Sequence, residues 1–148
     1  VIGLRPSMTG AGLASGIAAL ADGTRLTTTI DVETRINASS AELSAIGDEA
    51  RHEVLHVVRE ALSNAARHAR ASRVELEVTS TDDGLRLVIS DNGIGFDPAA
   101  LVEGGHHGLV NLRERAATAG GRVEIDSEAG RGTRIVITIP IEAEAPPT

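Results

Sequence analysis

The sequence has no cysteine, tryptophan, tyrosine or lysine, and Phe96 is its only aromatic residue. Without cysteine, disulfides and thiolate metal sites are excluded. Without lysine, no side-chain amine can form a Schiff base or bind phosphate. A Walker-type loop, which needs Gly-Lys-Ser/Thr, is therefore absent. All 14 basic residues are arginine, and the net charge is -7 at pH 7. That balance argues against a DNA-binding surface, which needs a basic patch. No apolar run approaches the roughly 20 residues that span a bilayer, and no secretory signal pattern opens the chain.

What remains suits one domain, or one domain with a short extension: 148 residues, 41% of them hydrophobic. With a single aromatic, the core must be built from Leu, Ile, Val and Ala. A chain that opens on Val1 instead of Met is expected to be a piece of something longer.

Apolar spacing at Leu13, Ile17 and Leu20 predicts a helix from Ser7 to about Ala21, with Pro6 suited to its start. Threonines and aliphatics from Arg25 to Val32 suit a strand. Asn37 to Ser40 reads as a turn or cap, and the longest helical pattern runs from Ala41 to Ala69. Its stripe is Leu55, Val58, Leu62, Ala65 and Ala69, widened by Val54, Val57 and Ala61. Alternation over Arg73–Thr79 and Leu85–Ile89, with Asp82-Asp83-Gly84 between, predicts a hairpin. A Gly-, Asp- and His-rich loop follows from Asn92 to His107, then a helix from about Gly108 to Ala119 capped at Gly120-Gly121. Strands at Arg122–Asp126 and Thr133–Ile139 complete the order α-β-α-β-β-α-β-β. The expected fold class is α+β, a two-layer sandwich of helices on a largely antiparallel sheet.

Two constellations stand out. On the long helix, Glu60, Asn64, Arg67 and His68 lie within roughly a third of a turn of one another. Such a row suits a solvated face. It also suits a ligand site: an amide oxygen is a hard-cation ligand of the kind Mg²⁺ accepts. Arg67 and His68 can reach phosphate oxygens, and Glu60 can hold a metal-bound water or accept a proton. The second constellation is Asp91-Asn92-Gly93-Ile94-Gly95-Phe96. Asp-Asn-Gly is a common turn. An ionised carboxylate is also acceptor-only, so it suits an exocyclic amino group such as adenine N6 and repels a guanine O6. Gly104, Gly105, His106, His107 and Gly108 precede the next helix, whose first amides are a ready anion site. Adjacent histidines lack the i, i+4 spacing of a helical zinc pair.

In this order the motifs resemble the catalytic, ATP-binding domain of two-component sensor histidine kinases, within the superfamily of gyrase, Hsp90 and MutL ATPases. Glu60-Ala-Leu-Ser-Asn64-Ala-Ala-Arg67-His68-Ala resembles the N box. Asp91 to Phe96 resembles the first glycine box, Gly105-His-His-Gly108-Leu109 the second, and Gly132-Thr133 the closing segment. Leu4-Arg5-Pro6 and Gly108-Leu109-Val-Asn-Leu-Arg-Glu-Arg-Ala are similar to kinases that serve response regulators with helix-turn-helix domains.

The resemblance implies a Bergerat-type ATP-binding fold over residues 24–141. Residues 1–23 would follow dimerisation and phosphoacceptor helices upstream, packed on or leading into the domain, and 142–148 would be a disordered tail. It implies ATP and Mg²⁺ as ligands. Asp91 would bind adenine N6, with Thr133 supporting it through water and Gly93, Ile94 and Gly95 shaping the adenine side. Asn64 would ligate Mg²⁺, with Glu60 assisting through water. His68 and Arg67 would touch phosphates, and Gly105, His107, Gly108 and Leu109 would close over them. The usual Gly-x-Gly-Leu of the second box is altered here, with His106 at the expected glycine position.

The implied activity is transfer of the γ-phosphate to a histidine on a separate domain, for signalling to a response regulator. The fragment would be a cytoplasmic monomer, without direct contact to nucleic acid or membrane, whether its parent is soluble or membrane-anchored. An anti-sigma-type serine kinase with the same site, or a degenerate interaction module, are the alternatives.

Overall fold

The computed structural model describes residues 10–67, 70–82, 84–94, 113, 114, 116, 117, 120–128 and 130–140. Its elements in chain order are α1 (Gly10–Thr27), β1 (Asp31–Asn37), α2 (Ser40–Ser44), α3 (Gly47–Arg67), β2 (Arg73–Thr81), β3 (Gly84–Asp91), β4 (Arg122–Glu128) and β5 (Gly132–Ile139). The strands form one sheet in the order β1-β2-β3-β5-β4. β1 and β2 are parallel, and every other pairing is antiparallel. Helices cover one face of this mixed sheet, which makes the fold α+β.

Alternation decides which side chains go inward. Val74, Leu76 and Val78 of β2, Leu85, Leu87 and Ile89 of β3, and Ile135, Ile137 and Ile139 of β5 are all buried. They meet Val54, Val57, Val58, Ala61, Leu62 and Ala65 of α3 and Leu13, Ile17 and Ala21 of α1 in one core. Burying each branched aliphatic contributes about 1.5–3 kcal/mol, which offsets the lack of aromatic bulk. The outer face is charged: Arg73 bonds Glu33 at 2.6 Å and Glu75 at 3.1 Å across β1 and β2. α1 is continuous through residue 23, so the expected domain boundary falls inside a helix that shares the common core.

Two expected elements are corrected. Arg25–Val32 is not a strand: Arg25 to Thr27 close α1, and β1 begins at Asp31. The threonine hydroxyls return to the helix, Thr24 Oγ1 donating to the Leu20 carbonyl at 3.0 Å and Thr27 Oγ1 to that of Gly23 at 2.8 Å. This local bonding satisfies residues that otherwise favour strands. The long helix of Ala41–Ala69 is two helices, broken before Gly47, which adopts φ +82°. α2 begins with a capping box in which Ser39 Oγ accepts from the Glu42 amide and the Glu42 carboxylate accepts from the Ser39 amide. The cap expected at Asn37–Ser40 is therefore present. So is the one at Gly120-Gly121: both amides return to the preceding helical turn, Gly120 to the Ala117 carbonyl and Gly121 to that of Ala116.

Candidate functional site

On β3 the inward positions read Leu85, Leu87, Ile89 and then Asp91; on β5, from the same end, Thr133 precedes Ile135, Ile137 and Ile139. On β4 Val123 and Ile125 lead to Ser127. Asp91 pairs with Thr133, and Thr133 pairs with Ser127. Three polar residues therefore form one row across three neighbouring strands, at the end of an apolar face.

The Asp91 carboxylate accepts from the Gly93 amide at 2.8 Å and from the Thr133 amide. Burial pushes its pKa above the ordinary aspartate value, and these two hydrogen bonds pull in the other direction. Thr133 and Ser127 are 5% and 6% exposed, and their hydroxyl oxygens lie 2.9 Å apart. Ser127 Oγ also donates to the Gly132 carbonyl at 3.2 Å. An open cleft runs around this end of the sheet, bordered by Asp91, Ser127 and Thr133 and, from the outer face, by Ser90 and Arg134.

The turn after Asp91 is held from two sides. Gly93 is buried, and the Ile94 carbonyl accepts from the Gly130 amide, while the Ile94 side chain is 52% exposed. Asn92 ties the turn to the start of β2. Its Oδ1 accepts from the Ser72 and Arg73 amides at 2.9 and 3.0 Å, and its Nδ2 donates to Ser72 Oγ at 2.9 Å. Its own amide donates to the Arg73 carbonyl.

α3 packs against β3 and β5, the strands that carry Asp91 and Thr133. Glu60 and Asn64 are both half-buried on this helix. Leu62, Ser63, Ala66 and Arg67 border a groove with Leu20, Thr24 and Thr27 of α1 and with Thr28 just after it; Glu60 and Asn64 do not border it. Arg67 is exposed and, by bordering that groove, lies on the α1 side of its helix. Asp91, Gly93, Ile94 and Thr133 lie together at the sheet's end. His68, Gly95, Gly105, His106, His107, Gly108 and Leu109, and Leu4-Arg5-Pro6, lie outside the described residues.

Sequence reasoning passed over two contributors, Asn92 and Ser127. Each left a signal. Ser127 is a hydroxyl at an inward position of an alternating strand, and Asn92 is the amide of an Asp-Asn-Gly turn, whose partner at Ser72 only the folded chain reveals. Among the described residues no three His, Asp or Glu side chains converge as a metal cage. No described helix is long and apolar enough to cross a membrane.

A family profile described as histidine kinase-, DNA gyrase B-, and HSP90-like ATPase matches residues 49–143. The sensor histidine kinase LiaS of Bacillus subtilis is 37% identical over 142 residues, covering 95% of this chain and 38% of LiaS. A sensor-like histidine kinase of Chloroflexus aurantiacus is 39% identical over 103 residues, 66% of this chain and 17% of that protein. The chain thus spans less than half the length of these relatives. The histidine kinase domain of the Erythrobacter litoralis EL346 blue-light activated histidine kinase has the same fold. Its TM-score is 0.69 at 24% identity, over 94% of this chain and 66% of that one.

Proposed function

Because the chain belongs to the family of histidine kinase-, DNA gyrase B- and HSP90-like ATPases, we propose that it is the nucleotide-binding catalytic domain of a sensor histidine kinase. It binds Mg-ATP and presents the γ-phosphoryl group to a histidine on a separate dimerisation and phosphoacceptor domain. The observation that carries this reading is the polar row at the end of β3, β5 and β4, with Asp91 half-buried beside the buried Thr133 and Ser127. Asp91 is a carboxylate fixed by two backbone amides, with acceptor capacity left for the N6 amino group of adenine. The relatives reported above are sensor kinases by name, which favours this reading over a serine kinase or an interaction module.

Asn64 and Glu60 fit a Mg²⁺ site of the usual nucleotide kind. Mg²⁺ keeps several waters and takes one or two protein oxygens, with substrate phosphates supplying the rest. A half-buried amide one turn from a half-buried acid meets that need, and no cage of carboxylates is required. Bound there, the ion would neutralise phosphate charge.

The chain's own part is positioning. Asp91 and Thr133 fix the base, Gly93 and Ile94 shape its side of the site, and Asn64 and Glu60 orient the phosphate end. Arg67, His68, Gly95, Gly105, His107, Gly108 and Leu109 complete the nucleotide contacts in this reading. In the transfer the P–O bond to ADP breaks and a P–N bond to the acceptor imidazole forms. The phosphohistidine then serves a response regulator. This part of the protein works in the cytoplasm, where ATP is supplied, and is a monomer by itself.

Calorimetric titration with ADP and a non-hydrolysable ATP analogue, with and without Mg²⁺, tests the reading. Adenine-nucleotide binding that Asp91→Asn weakens is expected. No binding by the wild-type chain would overturn it.

A further inference from the structure

We propose that Ser127 is a positioning residue that sets the polarity of the Thr133 hydroxyl and thereby helps the site select a 6-amino over a 6-oxo purine. The inference rests on the adenine-nucleotide reading above.

Ser127 and Thr133 are the only buried polar side chains among the described residues. A buried hydroxyl is costly unless it is bonded, and the neighbouring inward positions of both strands are aliphatic. The fold alone would be served by two more aliphatic residues. The Gly132 carbonyl, which can only accept, favours one proton arrangement for the pair. Each hydroxyl carries one proton and two acceptor lone pairs. Ser127 directs its proton to the Gly132 carbonyl at 3.2 Å. In the 2.9 Å contact with Thr133, Ser127 must then accept and Thr133 must donate.

That assignment uses the only proton on Thr133. The lone pairs of Thr133 Oγ1 are what it has left to offer a ligand or a bridging water. Its register partner Asp91 is acceptor-only when ionised. Two neighbouring acceptors favour a base that brings N–H donors, and adenine's exocyclic amine carries two. A 6-oxo purine brings an oxygen there and finds no donor. Without Ser127 the Thr133 hydroxyl is free to rotate, and its proton can turn toward such an oxygen.

The test is calorimetry on the whole chain with ADP and with inosine diphosphate. Ser127→Ala should weaken ADP binding about 3- to 10-fold, the scale of one buried hydrogen bond. Inosine diphosphate binding should hold or improve, so that the preference for ADP falls. Ser127→Thr keeps the hydroxyl and should keep the preference. In a Thr133→Val background, Ser127→Ala should have no further effect, because it acts through that hydroxyl. An unchanged preference in Ser127→Ala, or a full additional loss in the Thr133→Val background, overturns the proposal and leaves the adenine reading intact. A wild-type chain that binds neither nucleotide, or does not prefer ADP, overturns both.

Discussion

A β-carbon added to Gly132 would stand 2.2 Å from the carbonyl oxygen of Asp91. The two strands meet there so closely that only glycine fits, and Gly132 also adopts φ +87°, a region that side chains rarely enter. The close approach sets Asp91 beside Thr133. Gly132→Ala should therefore destabilise the domain by about 1–3 kcal/mol and weaken adenine-nucleotide binding as well. Urea unfolding checks the first effect, and a loss below about 0.5 kcal/mol, the scale of an ordinary surface change, would sink the prediction.

Asp91→Asn separates binding from stability. Burial holds the Asp91 carboxyl above the ordinary range, so the folded state retains its proton to higher pH than the unfolded chain. The contribution of this group to stability is present in acid, below its unfolded value of about 3.9. It is lost as pH rises through the folded value. At pH 7 the variant should melt at or above the wild-type temperature while losing affinity for ADP, and the gain should shrink below about pH 4. A variant that melts lower at pH 7 and closes the gap in acid would reverse the sign of the argument.

Asn92→Ala removes three side-chain hydrogen bonds to Ser72 and Arg73. Because Asn92 is exposed, water replaces part of the loss. The expected cost is about 1–2 kcal/mol. Amide hydrogen exchange should speed up at Ser72 and Arg73 before it does in the centre of β3. Uniform exchange across the sheet would show that the side chain does not join the turn to the start of β2.

Asn64→Ala should remove the dependence of nucleotide binding on Mg²⁺ and leave metal-free ADP binding within about twofold, since the base contacts are untouched. Titrations with Mg²⁺ and with EDTA make the comparison. Equal loss under both conditions would assign Asn64 to the nucleotide itself or to the packing of α3.

The four later strands were legible because their core-facing aliphatic residues recur at every second position. β1 was not, because Thr24, Thr27 and Thr28 have strand-like composition but bond the carbonyls four residues back in α1. The break between α2 and α3 was half visible: Ser39 and Glu42 spell a capping box, yet the aliphatic pattern runs on across it. Asp91 drew notice as a carboxylate on a glycine turn, and Asn64 as an amide on a charged row. That Asp91, Thr133 and Ser127 share one row depends on β5 lying between β3 and β4, a pairing that no local pattern encodes. The role expected of Thr133 rests on family resemblance, and the contacts of Asn92 and Ser127 are visible only in the fold.

On either side of residues 95–112 the described chain is held by contacts of its own. Ile94 is tied to Gly130 at one end, and at the other Ala116 is buried and the Gly120 and Gly121 amides close the helical turn. The Asp91 row therefore inherits its geometry from the sheet and from turns tied to each other, so this end of the site is set by the fold before any ligand arrives.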